Sequence, residues 1–267
     1  MTFAIIPWDV NPEIFHIGNF SIRWYGLLFA SSFFFGYLIF RKIFKNEGIG
    51  EDVLDKLTVY MAIGTILGAR IGHCLFYEPA YYLANPLEIF AVWHGGLASH
   101  GAAIGILLAL WIFTRKIHKP YMWILDRIVI VVALAGFFIR TGNLMNSEIY
   151  GVETTLPWGF VFLRNGENAP KHPTQIYEAL AYLGVFLLLL KLYWNKKGEF
   201  ARGLFFSLFL ILVFTFRFFV EFVKEDQVSF ESGMKLNMGQ WLSIPFVIAG
   251  FLILAWSIRK NIRTNEN

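Results

Sequence analysis

Long apolar segments alternate with short polar segments along the whole chain. A helix needs roughly 20 apolar residues to cross a hydrocarbon core of about 30 Å. The pattern predicts seven transmembrane helices, at about residues 20–40, 57–77, 89–113, 122–140, 174–193, 203–223 and 240–258. Residues 141–173 are too polar, and too rich in Gly, Asn and Pro, to cross a membrane, so we expect a small head there. The predicted fold class is an all-α polytopic membrane protein in which residues 1–267 form a single membrane-embedded domain.

The positions of Lys and Arg predict which side of the membrane each loop faces. Most of the 23 basic residues follow the first, third, fifth and seventh predicted helices, and loops rich in Lys and Arg lie on the cytoplasmic side. The N-terminus and the head are therefore expected to face outward, and the C-terminus is expected to be cytoplasmic. This distribution accounts for the formal net charge of +4, so no nucleic-acid partner is needed to explain it.

Composition supports the membrane assignment. The chain is 57% hydrophobic and 16% charged, whereas soluble domains carry about 25% charged residues. Residues 1–15 contain no basic residue and no small-residue cleavage site, so we expect no removable signal peptide. The single cysteine, Cys74, lies among apolar residues and is interpreted as a small core residue that cannot form an internal disulfide.

A polar cluster follows the fourth predicted helix, in residues 137–151 (FFIRTGNLMNSEIYG). Such a cluster is costly in lipid and useful in a cavity. If the helix continues through it, Arg140, Asn143 and Ser147 lie on one face, while Glu148 follows closely. Gly151 would let a backbone or a ligand approach closely. We interpret the stretch as the wall of a pocket for a polar or anionic group; the alternative is a snorkelling arginine with a polar cap at the interface.

Two further arginines, Arg70 and Arg217, fall inside or at the outer end of predicted helices, where a charged residue is by default a functional candidate. Arg70 could pair with Glu78, just past the second helix. Arg217 and Glu221 are four residues apart and can pair on a helix. Either the two opposite charges simply neutralise each other, or Glu221 orients Arg217 towards an anion.

His100 and Tyr25 are candidates for chemistry rather than charge. His100 lies in a glycine-rich stretch, residues 93–105, near the outer end of the third predicted helix. A histidine can serve as a general base, and apolar surroundings would keep it neutral; the alternative is a structural hydrogen bond to a neighbouring helix. Tyr25 is either an interfacial aromatic or directs its hydroxyl into a cavity.

Together these motifs closely resemble one family, the bacterial prolipoprotein diacylglyceryl transferases. The family signature, Gly-Arg-x-Gly-Asn-Phe-x-Asn-x-Glu-x-x-Gly, is matched within residues 137–151, with Ile139 and Leu144 replacing a glycine and a phenylalanine. Lys224 stands where many relatives have an arginine, and Val213 and Phe214 stand where they have Tyr-Gly. Supporting matches occur in family order at residues 23–26, 68–72, 95–101, 172–178, 217–221 and 238–240.

The resemblance implies an enzyme of the bacterial inner membrane. It would transfer the diacylglyceryl group of phosphatidylglycerol to the lipobox cysteine in the signal peptide of a preprolipoprotein, in the first step of lipoprotein maturation. A thioether would form and glycerol 1-phosphate would leave. The partners implied are that lipid, the preprolipoprotein and surrounding membrane lipids, with no cofactor and no metal. The family fold is a seven-helix membrane body with an outward head.

The expected roles of the residues follow from this reaction. Arg140 and Arg217 would bind the lipid phosphate and stabilise its growing charge, since a phosphate leaving group needs cationic partners. Asn143 and Glu148 would order the headgroup, the arginine or both, and His100 would accept the thiol proton. The residues expected to assist in catalysis or in binding substrate are Tyr25, Arg70, Gly151 and Glu221.

Two functions of other classes are compatible with the same features. A transporter or channel would use the buried arginines as an anion path and would give flux without a covalent product. A lipid-binding or assembly factor would bind phosphatidylglycerol without transferring any group. Composition alone does not separate an enzyme from a transporter, and it is the set of motifs that favours the transferase.

Overall fold

The computed structural model describes residues 6–18, 20–91, 96, 98–226 and 233–265. The chain consists of two compact units. The first unit contains Met1–Ile39 and Asp126–Asn267, and the second contains Phe40–Leu125. The candidate residues Arg70 and His100 belong to the second unit, and all the others belong to the first.

The described residues are mostly helical. They form α1 (Trp24–Asn46), α2 (Glu51–Phe76), α3 (Pro79–Ala84), α4 (Ser99–Lys116), α5 (Tyr121–Met145), α6 (Thr174–Asn195), α7 (Leu204–Val220) and α8 (Met238–Asn265). Within this described part of the chain, six helices are long and apolar enough to cross a membrane: α1, α2 and α5 to α8. The chain is therefore a multi-pass membrane protein by the length and composition of its helices.

The third predicted membrane helix is shorter than expected. It corresponds to α4, which begins at Ser99 instead of residue 89, because Pro86–Phe90 forms a 3-10 helix and Gly96 has a φ of +66°. At 18 residues, with polar residues at both ends, α4 is not among the six membrane-crossing candidates. A seventh crossing therefore stays a prediction.

In the second unit, glycines allow α2 and α4 to pack with their backbones in contact. A Cβ atom added to Gly64 would lie 2.8 Å from the carbonyl oxygen of Gly105, and one added to Gly72 would lie 3.1 Å from the amide nitrogen of Gly101. A Cβ on Gly68 would meet the same two α4 glycines. Small residues at four-residue spacing permit this close approach of two helices in membranes.

In the first unit, two small sheets correct the all-α expectation. Strand β1 (Ile6–Trp8) pairs in parallel with β4 (Phe160–Phe162), and β2 (Glu13–Ile17) pairs antiparallel with β3 (Phe20–Arg23). The first predicted helix therefore begins at Trp24 instead of residue 20. Pairing with β2 makes residues 20–23 extended, and an ion pair of 3.1 Å between Glu13 and Arg23 supports that pairing.

The head is built on the end of α5. That helix runs to Met145, so the head begins at about residue 146 instead of 141. Leu144, Phe160 and Phe162 form a buried cluster, and the Trp8 indole packs against it and donates a hydrogen bond of 3.0 Å to the carbonyl of Leu144. This core explains why a polar segment is ordered without being a helix.

Lys171 connects the head to the segment that follows α7. Its ammonium contacts the carboxylate of Glu225 and lies 3.3 Å from that of Glu167. Burial alone would lower the pKa of Lys171, but the two carboxylates outweigh burial and raise that pKa above its ordinary value. The ion pairs therefore hold residues 224–226 against the head.

Candidate functional site

Arg140 is held at the end of α5 by two polar side chains. One guanidinium nitrogen, Nη1, donates a hydrogen bond of 3.2 Å to Oδ1 of Asn143, one turn further along the helix. The other, Nη2, lies 3.1 Å from Oε1 of Glu178, near the start of α6. The Glu178 side chain is fully buried, so this ion pair is shielded from solvent. Arg140 is therefore oriented by the protein itself.

A sharp turn brings Glu148 back over the end of the same helix. Ser147 and Ile149 both have positive φ values, +54° and +61°, so the helix cannot continue through them. The side-chain amide of Asn143 donates a hydrogen bond of 2.8 Å to Oε1 of Glu148, and the side-chain amide of Asn146 donates a second hydrogen bond of 3.3 Å to the same oxygen. The prediction that Ser147 shares a helical face with Arg140 and Asn143 was wrong, because α5 ends at Met145.

The start of α6 fixes the backbone of this turn. Gln175 Nε2 donates a hydrogen bond of 2.8 Å to the carbonyl of Glu148, and Thr174 Oγ1 donates one of 2.9 Å to the carbonyl of Ile149. Both donors are fully buried. These contacts satisfy carbonyl groups that α5 leaves without partners beyond its end.

Further buried charges follow from Glu178 to the end of α7. Lys224 places its ammonium 3.2 Å from Oε2 of Glu178 and 3.1 Å from Oε1 of Glu221. Arg217 pairs with Glu221 at 3.7 Å, as its spacing predicted, and Asn237 donates a hydrogen bond of 3.1 Å to Oε2 of Glu221. Glu221 is thus shared among three partners in place of the expected simple pair.

The start of α8 is shaped to receive Glu221. A Cβ atom added to Gly239 would lie 2.5 Å from Oε1 of Glu221, so only glycine leaves room for this carboxylate. Asn237 and Gln240 cap the helix reciprocally. The backbone N–H of Gln240 donates a hydrogen bond of 2.9 Å to Oδ1 of Asn237. The backbone N–H of Asn237 donates one of 3.0 Å to Oε1 of Gln240.

Tyr25, at the start of α1, lies against the same end of α5. A Cβ atom added to Gly142 would lie 2.8 Å from Cδ2 of Tyr25, so the ring sits on the helix where residue 142 has no side chain. Tyr25 interacts electrostatically with Glu148 and Arg140. The structure therefore brings Tyr25 together with the polar cluster.

Gly151 is surrounded by the protein itself. Its N–H donates a hydrogen bond of 2.8 Å to the carbonyl of His172, and a Cβ atom added to it would meet the carbonyl of Val223 and the side chain of Thr174. The close approach expected at Gly151 is made by backbone. A role for Gly151 in binding substrate stays a prediction.

In the second unit, Arg70 contacts carbonyl groups rather than Glu78. Its Nε donates a hydrogen bond of 3.0 Å to the carbonyl of Ile89, and Nη2 donates one of 2.5 Å to that of Glu88. The side chain is buried and its guanidinium lies 5.0 Å from the ring centroid of Tyr82. Arg70 therefore holds residues 86–90 against α2, and a role in substrate binding stays a prediction.

His100, also in the second unit, lies in the first turn of α4. The side chain of His100 is exposed among the described residues. The glycine-rich motif before it is only partly described, because Trp93, His94 and Gly95 lie outside the described residues. The role of His100 as a base stays a prediction.

Comparison with known proteins decides the family. A family model described as "Prolipoprotein diacylglyceryl transferase" matches residues 12–256. The chain belongs to the prolipoprotein diacylglyceryl transferase family. Three relatives each bear the name phosphatidylglycerol–prolipoprotein diacylglyceryl transferase. The relative from Tolumonas auensis is 46% identical, and the match covers 96% of this chain and 99% of the relative. The relative from Chloroherpeton thalassium is 45% identical, with 97% of each chain covered. The relative from Bacteroides fragilis is 44% identical, with 97% of this chain and 98% of the relative covered.

In this member of the transferase family, Glu178 and Lys224 join the site although neither was predicted to be functional. In the sequence, Glu178 is only part of the supporting match at residues 172–178, and Lys224 is noted only as standing where many relatives have an arginine. Counting charges could have found Glu178, because Arg140 and Arg217 inside membrane helices need buried carboxylates. The same rule then points to Lys224, because buried carboxylates need cations. Within the described part of the chain, no three His, Cys, Asp or Glu side chains are grouped to hold a metal ion.

Proposed function

We propose that this protein transfers the diacylglyceryl group of phosphatidylglycerol to the lipobox cysteine of a preprolipoprotein. The observation that carries the proposal is the buried, oriented guanidinium of Arg140 at the end of a membrane helix, held by Asn143 and Glu178. A cation of this kind suits a phosphate in a lipid environment. The names of the relatives support the choice of donor and acceptor.

The proposed reaction is a substitution at carbon. The cysteine sulfur forms a bond to the terminal glycerol carbon of the diacylglyceryl group, while the bond from that carbon to the phosphate oxygen breaks. The electron pair leaves with glycerol 1-phosphate, and the thiol proton passes to a base. The nucleophile must be a thiolate, and the protein has to stabilise charge that grows on the leaving phosphate.

Arg140 and Arg217 are the cations proposed to hold that phosphate. Arg217 lies at the end of α7 with 32% of its side chain exposed, so it can meet a ligand from the membrane. Its Nε is buried and donates no hydrogen bond to any described residue. Asn143 and Glu148 would order the headgroup and Arg140, while Glu221 would orient Arg217.

His100 is proposed as the base that accepts the thiol proton, and Tyr25 as a residue that positions the reacting groups. Exposure of His100 supports access to a substrate proton. Arg70 and Gly151 are retained as further substrate-binding candidates. The scheme needs no cofactor and no metal, and nucleic acid is not a partner.

The proposed location is the bacterial inner membrane. The basic loops support a cytoplasmic C-terminus and an outward N-terminus and head. In this proposal residues 1–267 form one transferase domain with seven crossings, of which α4 is the third. Phosphatidylglycerol would come from the bilayer and the preprolipoprotein from its membrane-bound signal peptide.

The decisive experiment uses purified protein in detergent with phosphatidylglycerol and a synthetic lipobox peptide containing one cysteine. Peptide mass and glycerol phosphate release are followed together, with Arg140→Ala and the exposed head variant Arg164→Ala alongside. We expect a diacylglyceryl mass gain with matching phosphate release in the wild type and Arg164→Ala, and loss of both in Arg140→Ala. Lipid binding without a mass gain in folded wild-type protein would overturn the proposal in favour of a lipid-binding factor. Flux in vesicles without product would favour a transporter.

A further inference from the structure

Five charged side chains form one unbroken line between the two arginines of the proposed site. The line consists of Arg140, Glu178, Lys224, Glu221 and Arg217. The four links, taken in that order, measure 3.1, 3.2, 3.1 and 3.7 Å. The charges alternate in sign, so every carboxylate lies between two cations.

Burial separates the middle of this line from its ends. The side chains of Glu178, Lys224 and Glu221 are 0%, 3% and 5% exposed, whereas those of Arg140 and Arg217 are 13% and 32% exposed. A ligand can therefore reach the arginines but not the three central groups. The Lys224 ammonium therefore acts on a ligand through the two arginines and not by direct contact.

We infer that Lys224 is a positioning residue that sets the places of Arg140 and Arg217 through Glu178 and Glu221. This inference rests on the proposed transferase function of the same site. The compact ammonium has three donors on a flexible stem and can serve two carboxylates at once. The backbone of Lys224 is fixed as well, because residue 224 forms a β-bridge with Gly151 and Val152 donates a hydrogen bond of 3.0 Å to the carbonyl of Val223.

Loss of the ammonium would turn the carboxylates towards the arginines. Among the described residues, Glu178 Oε2 has no hydrogen-bond partner of good geometry, so the Lys224 ammonium at 3.2 Å is its stabilising contact. Without Lys224 each buried carboxylate would keep one arginine but lose its second cation. Loss of a charged partner from a buried carboxylate is costly, so Glu178 and Glu221 would draw further guanidinium donors inward. Those donors would then be lost to the phosphate. Binding of the lipid should suffer more than the rate of transfer from the bound state.

The first test compares Lys224→Met with Lys191→Met, which makes the same change at an exposed site in α6. With peptide in excess, we expect KM for phosphatidylglycerol to rise roughly tenfold or more in Lys224→Met, with a smaller fall in kcat. Tenfold corresponds to about 1.4 kcal/mol, and the loss of a hydrogen bond to a charged group has an effect of at least this size. Lys191→Met should behave as the wild type. A KM within twofold of wild type in folded Lys224→Met would overturn the inference.

A second test separates position from net charge. Lys224→Met reduces the charge of the line by one, and adding Glu178→Gln restores it, but Arg140 then has no carboxylate partner in the line. Full recovery of KM in the double variant would show that only the net charge matters, and the positioning role would be wrong. We expect no recovery.

The conservative variant Lys224→Arg keeps the inference testable if Lys224→Met does not fold. An arginine retains the charge and can reach both carboxylates, so we expect KM within about threefold of wild type; Lys224→Gln, which loses the charge, should resemble Lys224→Met. Loss of lipid affinity in folded Lys224→Arg, equal to that in Lys224→Gln, would contradict the inference. Absence of transfer by the wild type would instead contradict the proposed function, so the two failures are distinguishable.

Discussion

Asp126 in α5 accepts a hydrogen bond of 2.7 Å at Oδ2 from the backbone N–H of Gly203, the residue that precedes α7. Its other oxygen, Oδ1, accepts one of 3.0 Å from the N–H of Phe206. The first amide groups of a helix have no partner within that helix, and no side chain from the segment before α7 caps them. Asp126, which is fully buried, therefore caps α7 from a different helix.

Replacing Asp126 by alanine should destabilise the protein. The change leaves two backbone donors without an acceptor away from water, at a cost of about 1–3 kcal/mol. The measurement is thermal unfolding in detergent, and Asp126→Asn is the control because its amide oxygen still accepts one bond. We expect the largest fall in Tm for Asp126→Ala. Equal Tm values for wild type and Asp126→Ala would show that the cap contributes nothing.

Gly142→Ala should impair activity by moving Tyr25. The added Cβ would lie 2.8 Å from Cδ2 of the tyrosine, which is too close for unchanged packing. We expect diacylglyceryl transfer to fall roughly tenfold to a hundredfold, since small misplacements near reacting groups have effects of this size.

Gly184→Ala is a matched control for that change. Gly184 lies in α6, and a Cβ atom added there would meet nothing within 4 Å. This variant should keep its transfer rate. If both alanine variants were as active as the wild type, contact between Tyr25 and Gly142 would not matter for the reaction.

The variant His100→Asn distinguishes two roles of His100, as a general base and as a residue that only binds the substrate. If His100 accepts the thiol proton, single-turnover transfer from the bound state should fall by roughly 10²–10⁴-fold, while phosphatidylglycerol affinity stays within twofold. His118→Asn, at an exposed histidine in the loop after α4, is the control and should be unaffected. Weaker lipid binding with an unchanged single-turnover rate would assign His100 to binding alone.

The head should become less stable in mild acid because of His172. Burial lowers the pKa of this histidine below the ordinary value of 6.5, and its Nδ1 lies 3.2 Å from the hydroxyl of Tyr177. The unfolded chain therefore takes up a proton at higher pH than the folded chain does. The stability that depends on neutral His172 is present above pH 6.5 and is lost as the pH falls through the folded pKa.

Melting temperatures measured in detergent across that pH window would test the effect. We expect Tm to fall from neutral to mildly acidic pH in the wild type, and to fall less in His172→Gln, which does not titrate. Equal pH dependence in both proteins would show that His172 is not the responsible group.

Much of the site could be read from local sequence patterns. Arg140 and Asn143 are three residues apart on a helix, and their side chains do form a hydrogen bond. The pairing of Arg217 with Glu221 follows from the same periodicity. The four-residue spacing of Gly64, Gly68 and Gly72 is likewise a local pattern, and it marks the face of α2 that packs closely on α4. Each of these features depends on residues within about two turns of one another.

Other features could not be read in this way. The helix carrying Arg140 ends at Met145 because Gln175 and Thr174, from α6, hold the carbonyls of the turn that follows. The β1 strand forms only because β4, more than 150 residues later, is beside it. Such partners are chosen by packing and not by spacing along the chain.

The membrane character, the positions of most helices, the family and the main signature residues follow from the sequence alone. They depend on hydrophobic periodicity, helix length and local motifs, which involve neighbouring residues. The connection of Arg140 to Arg217 by Glu178 and Lys224 is visible only in the folded chain. A buried charge requires a partner of opposite sign, but any of several carboxylates could supply it, and the choice depends on which helix ends meet in space.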